Sequence, residues 1–101
     1  MRSQNEEAIS SKIVLTEFRT KTCGFCREEA LILEELAEVF AGQVEIRMVD
    51  AEKDFEMAEK YVVFTVPTLI LERDGKLVER WNGFVPGEEL EQALRDALRR
   101  P

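Results

Sequence analysis

Lys12-Ile13-Val14-Leu15-Thr16-Glu17-Phe18, followed by Arg19-Thr20-Lys21-Thr22 and then Cys23-Gly24-Phe25-Cys26, joins a β-branched apolar run to a pair of cysteines. The apolar run predicts one buried strand over residues 12–18, and the polar stretch after it predicts a loop leading to the cysteines. From about Cys23 to Ala41, Leu33, Leu36, Ala37 and Phe40 recur at helical spacing, with Ile32 and Val39 widening the apolar stripe and Gly42 as the expected C-cap. Residues three apart at the start of a helix share a face, so Cys23 is expected at the exposed N-terminal end and Cys26 one turn inward. Unpaired backbone N–H groups and the helix dipole favour a thiolate at Cys23. Lys21 and Arg27 add to that field, while Glu28, Glu29 and the acidic net charge oppose it.

A CxxC pair beside a strand-helix-strand pattern points to a redox dithiol, in which Cys23 attacks a disulfide and Cys26 resolves the mixed disulfide. The intramolecular thiol has a high effective concentration for that second step. The plain alternative is a structural staple. A bridge closing so short a loop is worth under roughly 2 kcal/mol, and a reducing compartment would not keep it.

Farther along, Val44-Glu45-Ile46-Arg47-Met48-Val49 alternates as a second strand, and Asp50 is placed to cap a helix from Glu52 to Tyr61. Thr68-Leu69-Ile70-Leu71-Glu72 and Lys76-Leu77-Val78-Glu79-Arg80-Trp81 flank Arg73-Asp74-Gly75, whose Asp-Gly predicts a tight hairpin. Pro86 and Gly87 open a last helix with Leu90, Ala93, Leu94, Ala97 and Leu98 on one face. Ser3 and Glu6 have capping-box spacing, so residues 1–11 are expected to be a tail or a short helix ahead of one domain spanning 12–100. The class is α/β, a central mixed sheet flanked by helices in the order (α)-β-α-β-α-β-β-α.

Composition narrows the chemistry. The 101 residues include no histidine, which removes Ser-His-Asp and Cys-His catalysis and mixed His/Cys zinc sites. Two cysteines exclude a Cys₄ site within one chain. With 14 Lys plus Arg against 21 Asp plus Glu, the net charge is −7, and no basic footprint is offered to nucleic acid or anionic membrane. The first eight residues are too polar for a signal peptide, and no stretch approaches the roughly 18 apolar residues of a membrane span. The expected location is cytoplasmic.

In the order and spacing of its motifs, the chain resembles the thioredoxin superfamily from about Lys12 to Leu98. The resemblance rests on the strand-loop-CxxC segment Ile13 to Cys26, on Phe64-Thr65-Val66-Pro67-Thr68-Leu69-Ile70-Leu71-Glu72-Arg73-Asp74-Gly75, and on Gly83 after the hairpin. It implies a thioredoxin-like fold and reduction of protein disulfides by a monomeric protein that an external reductase or thiol donor recharges, with no cofactor. It also implies that Val66-Pro67 is a cis peptide beside the cysteines, with the Val66 backbone pairing to an extended substrate segment. Gly24, Phe25 and Gly83 would line the same groove. Glu17, six residues before Cys23, stands where the family carries a buried acid that exchanges a proton with the inner cysteine; burial in an apolar strand would raise its pKa. The chain departs from the family pattern at Thr22, where a tryptophan is usual, at Gly24-Phe25, where Gly-Pro is usual, and at Ile46, where a lysine is common. Trp81 lies away from the family's active-site tryptophans and is expected to pack.

Two other functions compete. Thr65-Val66-Pro67 and Lys21 also occur in glutaredoxins, which implies glutathione-linked activity, although Phe84-Val85-Pro86 replaces the Gly-Gly and nearby Asp that hold glutathione there. Thr22-Cys23-Gly24-Phe25-Cys26 is similar to the Thr-Cys-x-x-Cys of copper(I) carriers, and two thiolates also suit a cluster or zinc site shared between chains.

Overall fold

The computed structural model describes residues 11–99, so the expected helix or tail over residues 1–11 lies, but for Ser11, outside the described residues. Seven elements follow in order: β1 (Ile13–Arg19), α1 (Gly24–Val39), β2 (Val44–Asp50), α2 (Phe55–Lys60), β3 (Thr68–Arg73), β4 (Lys76–Asn82) and α3 (Gly87–Arg99). The sheet order is β2-β1-β3-β4. β1 pairs parallel with β2 and antiparallel with β3, which in turn pairs antiparallel with β4. A parallel pair needs a crossover, and α1 supplies it.

β1 and β3 are the interior strands and are correspondingly apolar, whereas β2 and β4 form the edges and expose Glu45, Arg47, Lys76 and Glu79. Alternation along β1 splits its side chains between two cores. Ile13 and Leu15 join Leu69 and Leu71 of β3, Leu33 and Leu36 of α1 with Phe40 just after it, and Leu90, Leu94 and Ala97 of α3 in the larger core. Phe18 turns to the other face with Ile70 and Ala58, backed by Met57 of α2 and by Tyr61 at its C-cap. Glu17, in step with Ile13 and Leu15, therefore points into the face covered by α1 and α3.

The hairpin forms as its sequence predicts. Asp74 at φ 54° and Gly75 at φ 82° supply the left-handed pair that a two-residue connection demands. The Asp74 side chain accepts the Lys12 N–H at 2.8 Å, and the Asp74 N–H returns to the Lys12 carbonyl at 2.8 Å, which fastens the turn to the start of β1. Trp81 packs against the larger core and donates its indole N–H to Glu89 at 2.9 Å.

Three details differ from the sequence reading. Asp50 does not cap the helix after β2. Its carboxylate accepts the Glu52 and Lys53 N–H groups in a turn, and Asp54 caps the shorter α2 by accepting the Met57 N–H at 3.2 Å. An acid can satisfy a turn as readily as a helix start, and Asp50 is still in its strand. Gly42 is not the C-cap of α1: Phe40 holds that position and Gly42, at φ 81°, lies two residues beyond in the turn to β2. Ala37 and Val39 are exposed, so the buried stripe of α1 runs instead through Cys26, Glu29, Ala30, Leu33, Leu36 and Phe40.

Leu69 sits on an interior strand with none of its surface exposed. Leu69→Ala is expected to lower unfolding free energy by about 2–5 kcal/mol in urea titration. A change below about 0.5 kcal/mol would mean that this strand does not carry the core.

Candidate active site

β1 ends at Arg19, and the loop Thr20–Thr22 turns the chain so that Cys23 becomes the N-cap of α1. The turn is closed by the Cys23 N–H donating to the Thr20 carbonyl at 3.3 Å. Cys23 Sγ then accepts the Cys26 N–H at 3.2 Å, a role an N-cap oxygen plays in other helices. The two cysteines are joined as a disulfide with Cα atoms 5.3 Å apart. Their accessibilities differ: Cys23 is partly exposed, and Cys26 is 1% exposed.

An open cleft of about 390 Å³ lies over the pair, lined by Arg19, Thr20, Lys21, Cys23, Cys26, Arg27, Met48 and Asp50. Three cations thus border the same cleft as the cysteines in a protein whose net charge is −7. The opposing Asp50 carboxyl is held below its usual range by the Lys53 and Glu52 N–H groups and by Lys21. Val66, Pro67 and Gly83 are not among the walls of this cleft.

Those three residues sit in the loops that follow α2 and β4. The Val66–Pro67 bond is cis, Pro67 is buried, and Thr68 Oγ1 donates to the Thr65 carbonyl at 2.6 Å across the bend. Arg80 of β4 holds the approach to this loop by donating to the Val62 carbonyl at 2.7 Å. Gly83 has φ 147°, and a Cβ there would meet no atom within 4 Å, so backbone conformation rather than crowding accounts for the glycine. Gly24 likewise has open space around it. Phe25 is exposed, and its ring lies 6.0 Å from that of Phe84, which connects the CxxC turn to the loop carrying Gly83.

Glu17 is fully buried, and neither carboxylate oxygen has a hydrogen-bond partner among the described residues. Burial pushes its pKa up from 4.5 to about 7; the Arg19 guanidinium, 4.0 Å away, pulls it down, and the Glu29 charge pushes it further up. Sequence reasoning missed two members of this site. Arg19 stands two residues along the strand from Glu17, and that spacing alone places both on one face. Glu29 occupies a position on the inward stripe of α1, and only that periodicity distinguishes it from its exposed neighbour Glu28.

Comparison with known proteins agrees with this geometry. The thioredoxin family model matches residues 2–96. The chain belongs to the thioredoxin family. A thioredoxin of Staphylococcus aureus is 36% identical over 89 residues, covering 88% of this chain and 86% of that protein. One from Staphylococcus haemolyticus is 37% identical over 92 residues, with 91% and 88% covered. Among solved structures, a mutant thioredoxin from Halobacterium salinarum superposes with a TM-score of 0.82 at 25% identity, covering 100% of this chain and 88% of the other. Fasciola hepatica thioredoxin gives 0.78 at 29%, with 93% and 88% covered. The thioredoxin-family assignment, together with the Cys23–Cys26 pair, makes the protein a thiol-disulfide oxidoreductase.

A carboxyl whose pKa is higher folded than unfolded binds extra proton in the native state, so stability falls as pH rises from about 4.5 to about 7. The full effect of Glu17 over that window is about 2–4 kcal/mol. Glu17→Gln is therefore expected to be more stable than the parent at pH 8, with the difference shrinking toward pH 5 in urea titrations. Equal stability at pH 8 would show that burial does not raise the Glu17 pKa on folding.

Proposed function

We propose that the protein reduces protein disulfides with Cys23 as nucleophile, Cys26 as resolving thiol and Glu17 as the group that takes the Cys26 proton. The observation that carries this reading is the asymmetry of the pair. Cys23 is open to the cleft at a helix N-terminus beside Lys21 and Arg27, whereas Cys26 is enclosed one turn inward. Helix N–H groups and nearby cations stabilise a thiolate at the outer position. With no acid offsetting the dipole in the first turn of α1, the outer cysteine is the one activated.

In the reduced protein the Cys23 thiolate attacks one sulfur of a substrate disulfide and expels the other as a thiolate, leaving a mixed disulfide. Glu17 carboxylate accepts the proton of Cys26, and the new thiolate attacks Cys23 Sγ. The second substrate sulfur leaves, two electrons have passed to the substrate, and the Cys23–Cys26 disulfide is formed. A carboxyl with a pKa of about 7 exchanges protons near neutral pH without large cost in either direction. An external dithiol then reverses the steps. Phe25, Gly24, Val66, Pro67 and Gly83 form the surface along which an extended substrate segment lies, Val66 offering backbone pairing as an exposed strand edge does.

The protein works as a monomeric unit folded over residues 12–100 in the cytoplasm. Charged side chains on both edge strands support a monomer, because they discourage edge-to-edge pairing. Among the described residues no helix is long and apolar enough to cross a membrane.

Cys23→Ser is expected to abolish dithiothreitol-driven reduction of insulin, while Cys26→Ser should trap a mixed disulfide with a disulfide substrate, read as an adduct by mass spectrometry. Full activity of Cys23→Ser, or an adduct forming instead on Cys26 of that variant at the parent rate, would reverse the assignment.

A further inference from the structure

A second carboxylate lies beneath the dithiol, and the exchange steps above make no use of it. Glu29 stands one helical turn beyond Cys26 with none of its surface exposed. Its Oε1 accepts the Val85 N–H at 2.7 Å, across 56 residues of sequence, and its Oε2 has no hydrogen-bond partner among the described residues. Val85 is itself buried and follows Gly83 and Phe84 in the loop whose Phe84 ring meets Phe25 between the cysteines. Glu29 thus ties the dithiol helix to the opposite wall of the substrate surface described above. It also shares the interior between β1 and α1 with Glu17, close enough that its charge raises the Glu17 pKa.

Two carboxylates in a water-excluded interior do not both ionise readily, and the first proton they bind belongs to the pair. The groups facing this pair are few. Arg19 on β1 opposes proton binding at Glu17, Glu28 on α1 favours it at Glu29, and the Val85 N–H disfavours it there. β3 and α3 present apolar side chains to the same core among the described residues: Leu69, Leu71, Leu90, Leu94 and Ala97, with Ala93 and Leu98 packed against them.

We propose that Glu29 is a positioning residue for disulfide exchange: it forms with Glu17 a buried two-carboxyl unit beneath the dithiol, and through Val85 it latches the Gly83–Val85 loop to the dithiol helix. The first role rests on the proton transfer assigned to Glu17 above. With Glu29 ionised beside it, the Glu17 carboxylate is a stronger base toward Cys26. The proton moves from Cys26 Sγ to Glu17, Cys26 thiolate displaces the substrate sulfur from Cys23, and Glu17 later releases the proton to water. Glu29 touches no reacting atom.

Glu29→Gln keeps an oxygen for the Val85 N–H and removes the charge; Glu29→Leu removes both. Carbon-13 carboxyl NMR of the oxidised protein, without substrate, follows Glu17 directly. Glu29→Gln is expected to move the Glu17 midpoint to lower pH by about half a unit or more. The acid limb of the pH profile for mixed-disulfide resolution should shift in the same direction, with amide exchange at Val85 unchanged. Glu29→Leu is expected to speed Val85 amide exchange by about tenfold or more. An unmoved Glu17 midpoint in Glu29→Gln overturns the two-carboxyl unit, and an equally protected Val85 amide in Glu29→Leu overturns the latch. Should either variant fail to fold, the parent protein decides: each carboxyl resonance is expected to inflect at the other's midpoint, and independent single-step curves refute the coupling. Because these titrations need no turnover, their failure is separable from failure of the oxidoreductase assignment, which the cysteine variants test.

Discussion

The site depends on one placement, a carboxylate on the inward face of an interior strand. β1 is hydrogen-bonded on both sides, so its register against β2 and β3 leaves no freedom to turn Glu17 outward without also exposing Ile13 and Leu15. The larger core therefore fixes an ionisable group under α1 at the expense of a buried carboxylate that, among the described residues, accepts no hydrogen bond and has the Arg19 guanidinium 4.0 Å away. Burying such a group costs free energy, and the protein meets that cost partly by holding the proton. Stability and the proton transfer proposed for Glu17 thus depend on the same packing.

The same strand also fixes the dithiol. β1 ends two residues past Glu17, and a loop of three residues delivers Cys23 to the start of α1. Cys23 caps the helix with sulfur, which exposes it to the N-terminal N–H groups, and the helical repeat carries Cys26 inward toward the core. One chain segment of fourteen residues, Ile13 to Cys26, therefore carries the proposed acid, nucleophile and resolving thiol together. The remaining elements supply the lid of the core and the loops of Val66–Pro67 and Gly83–Val85.

Much of this was legible in the sequence because local rules and tertiary needs agree there. β-branched runs marked the interior strands, Asp74-Gly75 marked the hairpin, and the leucines of α3 marked its inner face. Legibility failed where one residue type serves two local structures. Asp50 had the chemistry of a cap but satisfied a turn, and Asp54, four residues later, took the helix. Ala37 and Val39 were apolar but fell outside the stripe that packs, since apolar identity does not by itself oblige burial. Glu29 was hidden for the opposite reason. An acid near a helix N-terminus is ordinary, and in a run of Glu28-Glu29 only the phase set by Cys26, Leu33 and Phe40 shows which one is enclosed. The carboxylate that sequence reasoning did find, Glu17, was found through family resemblance more than through its own pattern, because a single acid in an apolar strand has no periodicity to betray its direction.

The central claim, that an N-terminal thiolate and a buried acid make this a disulfide reductase, is tested most directly by the midpoint potential of the Cys23–Cys26 couple. Equilibration in thiol-disulfide buffers, alkylation of free thiols and mass measurement give the value. The account predicts a potential in the reductase range, about −270 mV. A value near about −180 to −120 mV would make the protein an isomerase or oxidant and contradict the assigned direction, and failure to form the disulfide at any poise would contradict the redox account altogether.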